Sequence, residues 1–108
     1  MNNLVINELF QALKERKNYP QKESYTSFLL NNSELLAKKI GEETSELIID
    51  YVKINKEGVL KESADIIYHL LVIWISIGIK PEDVWNELSK RKSISGFEEK
   101  KSRGKSNE

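Results

Sequence analysis

The chain has 108 residues, with 17 Lys and Arg against 17 Asp and Glu, and no cysteine. That length fits one domain. The balanced charge gives no field to draw it to nucleic acid or an acidic membrane, and the missing thiols exclude disulfides, thiolate metal sites and cysteine nucleophiles. A domain of this size buries only a modest core and is marginal by itself, a shortfall that dimerisation would relieve.

The opening residues, Met1 to Glu8, lack the basic lead and apolar run of a signal peptide, and the most apolar stretch, Ile66 to Ile77, is too short to span a bilayer. A cytoplasmic protein is expected. Apolar residues recur at helical spacing, and no segment alternates in the manner of a strand. A first helix from about Asn3 to Arg16 places Leu4, Leu9, Phe10 and Leu13 on one side. Lys17 to Lys22, around Pro20, reads as a loop, and Ser24 to Leu30 as a short helix or turn ending at Asn31-Asn32.

Ser33 is expected to N-cap a long helix with Glu34 in its first turn, and Leu36, Ile40, Thr44, Leu47, Tyr51 and Ile54 form its apolar stripe. After a turn near Ile54-Asn55, with Asn55 as N-cap, a second long helix spans about Lys56 to Ile77, and Gly78 stops it. Pro81 suits the first position of a further helix, with Glu82 and Asp83 in its acidic first turn. That helix offers Val84, Trp85 and Leu88 to the core and ends near Arg91. The fold class is therefore all-α: a helical bundle built on one long antiparallel hairpin. Residues 1–91 form the domain, and residues 92–108 its basic tail.

The hairpin carries two carboxylate pairs at three-residue spacing, Glu43 with Glu46 and Glu62 with Asp65. Residues three apart on a helix stand one above the other, and packed helices lie about 8–10 Å apart. In antiparallel register Glu46 falls opposite Ser63 and Glu43 opposite Ile66, so the pairs are level and can close around one or two Mg²⁺ ions through oxygen ligands. The second helix is apolar almost all round, except for a narrow stripe with Glu62, Asp65, His69 and Ser76. Carboxylates beside so apolar a face need a compensating partner, because desolvated charge is costly. Against this stand plainer readings: glutamates on a solvated face, Lys39 as a salt-bridge partner of Glu42, and His69 as a satisfied core histidine.

Glu42-Glu43-x-x-Glu46, followed after fifteen residues by Glu62-x-x-Asp65, resembles the signature of the MazG-like all-α pyrophosphohydrolases. The flanks Ser24-Tyr25-Thr26, Lys38 to Glu43, Tyr68-His69 and Ser95 to Arg103 are similar to those of the phosphoribosyl-ATP pyrophosphatase family. Ile94 stands where that family usually has threonine, and the loop from Lys17 to Glu23 lacks glycine.

The resemblance implies Mg²⁺-dependent hydrolysis of phosphoribosyl-ATP to the AMP compound and pyrophosphate, the second step of histidine biosynthesis. It implies metal ligation by Glu43, Glu46, Glu62 and Asp65, with Glu42, Glu43 or Glu46 catalytic and Glu42 the first candidate to take a proton from water. Lys39 becomes a candidate for phosphate contact. Arg91, Lys101 and Arg103 become candidates for the ribose phosphate, and His69 for a place in the substrate site. Tyr25 either stacks on a base or packs in the core, with packing favoured. Relatives that add the next enzyme of the pathway use zinc cysteines, so this cysteine-free chain is expected to perform the pyrophosphatase step only. The second long helix is expected to pair with its mate in a homodimer. The alternatives are a house-cleaning (d)NTP pyrophosphatase on the same scaffold and a non-enzymatic helical interaction module.

Overall fold

The computed structural model describes residues 4–92, and among them there are helices and no strands. They fall into two compact units divided after Gly78. The first contains α1 (Leu4–Glu15), a 3₁₀ turn (Arg16–Asn18), α2 (Tyr25–Leu30), α3 (Ser33–Val52) and α4 (Lys56–Ile77). The second contains α5 (Pro81–Lys92).

Local chemistry sets most of these boundaries. Ser24, extended at φ −144°, turns its Oγ to accept the Ser27 N–H and starts α2. The end of α2 is closed by side chains: Asn31 Nδ2 donates to the Ser27 carbonyl at 2.8 Å and Asn32 Nδ2 to the Phe28 carbonyl at 2.6 Å. This corrects the expected cap of α3. Ser33 is the first helical residue, Asn32 holds the cap position, and its amide serves the preceding helix instead. Asn55 does cap α4, accepting the Gly58 N–H at 3.2 Å, and Gly78 ends that helix in the left-handed region at φ 79°.

α3 and α4 form the expected antiparallel hairpin, and their mutual packing is the most extensive in the unit. The core lies toward one end of it. Phe10 and Leu13 of α1, Leu29 of α2, Leu36 of α3 and Leu71 and Val72 of α4 are buried together, each contributing roughly 1.5–3 kcal/mol by leaving water. Leu4, expected on this face, is exposed at the start of α1.

Toward the other end the stripe of α3 comes out into solvent. Leu36 is buried and Ile40 and Leu47 are half-buried, but Tyr51 is 73% and Ile54 87% exposed. Ile54 also sits at φ 57°, the only non-glycine residue at positive φ among those described. A β-branched side chain disfavours that conformation, at a cost of order 1–3 kcal/mol.

In the second unit, Asp83 Oδ2 accepts the Lys80 N–H at 2.9 Å at the head of α5, and Lys90, Arg91 and Lys92 crowd its last turn. Arg91 pairs with Glu87 at 3.4 Å. Leu88, expected to face a core, is exposed.

Candidate active site

The site lies on the hairpin, on the carboxylate-bearing turns of α3 and α4. Glu46 and Glu62 stand close across the two helices, near enough for one carboxyl to hydrogen-bond the other when protonated. Hydrogen bonding with Glu46 in the protonated form, followed by loss of water and the negative charges of Glu46, Asp65 and Glu43, raises the Glu62 carboxyl above its ordinary value. Its Oε1 is buried and has no hydrogen-bond partner among the described residues. A carboxyl with a raised pKa beside further acids, one oxygen of it unsatisfied, is a place where a partner would lower the cost of the clustered charge.

Glu43 is fixed differently. His69 is 5% exposed, and its Nδ1 lies 2.6 Å from Glu43 Oε1 and 3.0 Å from the Asp65 carbonyl oxygen. Both neighbours only accept, so Nδ1 carries the proton and donates to them. Nε2 then accepts from the Tyr25 hydroxyl at 3.4 Å. Burial raises the Tyr25 pKa, and Tyr68, Glu43 and Asp65 reinforce the shift, keeping that hydroxyl a donor. Tyr25, Tyr68 and His69 form an aromatic corner: the tyrosines lie nearly parallel at 6.2 Å, and Tyr68 meets His69 edge-on at 5.0 Å. Tyr68 is pinned through its hydroxyl to buried Thr26 Oγ1 at 2.8 Å.

Glu46, Asp65 and Glu43 thus all lie close enough for their charges to act on the Glu62 carboxyl. Among the described residues, no three His, Asp or Glu side chains stand where they could together hold a metal ion as placed, and Glu43 is engaged by His69. Glu42 is exposed beside Glu43 and is not among the charges acting on Glu62. Lys39 is half-buried one turn before Glu43, and the ion pair with Glu42 does not form.

Tyr25, for which packing was favoured, is 48% exposed and walls the site. His69 stands behind Glu43. Arg91 belongs to the second unit, and Lys101, Arg103 and Ile94 lie outside the described residues. Sequence reasoning missed Tyr68 and Thr26 as members of the site. Their signal was the adjacency of Thr26 to Tyr25 and of Tyr68 to His69.

The chain matches the family described as phosphoribosyl-ATP pyrophosphohydrolase over residues 6–92. It is 42% identical over 102 residues to the phosphoribosyl-ATP pyrophosphatase of Granulibacter bethesdensis, covering 94% of this chain and 64% of that protein. Similarity to the enzymes of the same name from Gluconobacter oxydans (38% identity, 94% of this chain and 77% of that one) and Paramagnetospirillum magneticum (39%, 94% of each) is comparable. On these matches the chain belongs to the phosphoribosyl-ATP pyrophosphohydrolase family.

Proposed function

We propose that the chain hydrolyses phosphoribosyl-ATP to phosphoribosyl-AMP and pyrophosphate, the second step of histidine biosynthesis, in the cytoplasm and with Mg²⁺ as cofactor. The observation that carries this reading is the meeting of Glu46 and Glu62 beside Glu43 and Asp65, in a chain of this family. The unsatisfied Glu62 Oε1 and the all-oxygen donor set fit Mg²⁺. Glu43, Glu46, Glu62 and Asp65 would hold it. The chemistry such an ion would supply is neutralisation of charge on the pyrophosphate leaving group and a lower pKa for the attacking water.

The chain's own groups supply the rest. His69 fixes the Glu43 carboxylate, and the Tyr25 hydroxyl fixes the His69 tautomer. Glu42, exposed next to the cluster, takes the proton of the attacking water. Lys39, one turn away on the same helix, contacts a phosphate oxygen. Among the described residues no single helix is long and apolar enough to cross a membrane.

The test is release of pyrophosphate from phosphoribosyl-ATP, measured beside a panel of dNTPs. The reading requires phosphoribosyl-ATP to have the highest kcat/KM. A clear preference for any dNTP would make the chain a house-cleaning pyrophosphatase.

A homodimer is part of the same proposal. Tyr51, Val52, Ile54, Lys56 and Val59 line an apolar groove of about 580 Å³ at the hairpin tip. Leu60, Ala64 and Ile67 continue an exposed apolar stripe along α4. A strained isoleucine left in water is costly twice over, and a second copy of the hairpin would cover it.

A further inference from the structure

A second cleft shares Tyr25 and Tyr68 with the aromatic corner. It has a volume of about 320 Å³ and is lined by Arg16, Tyr19, Glu23, Tyr25 and Tyr68, together with Ser24 and Thr26. That volume is at the lower end of the range for small-ligand sites.

Its walls are fixed before any ligand arrives. Ser27 Oγ donates to the Tyr19 carbonyl at 2.6 Å, Ser24 Oγ caps α2, and Thr26 holds the Tyr68 hydroxyl. Ser24, Thr26 and Ser27 are all buried. Arg16 has no carboxylate partner among the described residues, even though Glu23 lines the same cleft. The cleft therefore offers a guanidinium for an anion, a carboxylate that accepts hydroxyls, and tyrosine faces for the ring between them. A polyphosphate would be repelled by Glu23, whereas a sugar monophosphate uses all three features.

The cleft and the carboxylate cluster share Tyr25, whose ring lines the one and whose hydroxyl contacts the histidine holding Glu43. A ligand with anionic groups at both ends would therefore span from one to the other around that ring. Phosphoribosyl-ATP is such a ligand. We propose that this cleft binds the phosphoribosyl arm of the substrate, with Arg16 on its phosphate, Glu23 on the ribose hydroxyls, and Tyr19 and Tyr25 against the sugar. The proposal rests on the substrate assigned above, and it makes Arg16 a specificity-determining residue.

Two measurements on the full chain test it. In metal-free buffer, ribose 5-phosphate is titrated while the Arg16 side-chain and tyrosine ring resonances are followed by NMR. Saturable shifts at Arg16 and Tyr19, lost in Arg16→Gln and partly kept in Arg16→Lys, are expected, with weaker binding of ribose or inorganic phosphate. In turnover, Arg16→Gln should raise KM for phosphoribosyl-ATP roughly ten- to hundredfold, the loss of one charged hydrogen-bonded contact, with a much smaller change in kcat.

Shifts that appear instead at Arg91, Lys101 or Arg103, equal binding of inorganic phosphate, or an unchanged KM would each overturn the cleft assignment while leaving the activity standing. If the wild-type chain releases no pyrophosphate from phosphoribosyl-ATP, the functional reading fails in its own assay and this assignment falls with it.

Discussion

His69 Nδ1 donates to Glu43 Oε1 at 2.6 Å, tying the histidine of α4 to a carboxylate of α3 across the hairpin. The bond is largely buried, so water does not compete for either group. Replacing His69 by Ala should lower kcat/KM about ten- to hundredfold, as expected for the loss of a partner that orients a ligand. His69→Asn, whose amide can donate from nearly the same place, should recover much of it. Equal losses in both variants would mean that the ring does something other than position Glu43.

Glu46→Gln and Asp65→Asn, each alone, should abolish turnover while leaving the helical circular dichroism unchanged. In the wild type, Mg²⁺ should raise Tm beyond the effect of matched ionic strength, because an ion bound only by the folded state stabilises it by mass action. Either variant retaining activity would count heavily against the shared cation.

The Glu62 carboxyl is held above its ordinary value of 4.5 in the fold. Between that value and the raised one, the folded chain binds more protons than the unfolded chain, so unfolding free energy falls as pH rises through this window. The metal-free protein is therefore destabilised by Glu62 at neutral pH. Glu62→Gln should raise its Tm at pH 7 in EDTA and flatten the pH dependence, while removing most of the Mg²⁺ stabilisation. A lower Tm for the variant in EDTA would show that carboxylate repulsion is not the dominant effect at this site.

Ile54 at the hairpin tip separates two demands. Asparagine tolerates positive φ better than a β-branched residue, so Ile54→Asn should relieve turn strain of order 1 kcal/mol within each chain. It should also weaken self-association, because the side chain is 87% exposed and borders the apolar groove. Sedimentation velocity at micromolar concentration should show a dimer for the wild type and a shift toward monomer for the variant. A monomeric wild type would remove the dimer from the proposal.

Helix positions were legible in the sequence because they are local. The spacing of Phe10 and Leu13, Asn55 before α4, Gly78 after it and Pro81 at the head of α5 each act within a turn or two of chain. That the two carboxylate-bearing helices would lie side by side was legible too, since a short turn between two helices makes them antiparallel neighbours. What only the tertiary structure decided was which groups each side chain would meet. The sequence could not pair His69 with Glu43, stand Tyr25 half-exposed between two clefts, or give Arg16 a place beside Tyr19 and Tyr68. Those relationships depend on where α1 and α2 settle against the hairpin. Burial of Leu13, Leu29 and Leu71 governs that docking, and a one-dimensional pattern does not encode it.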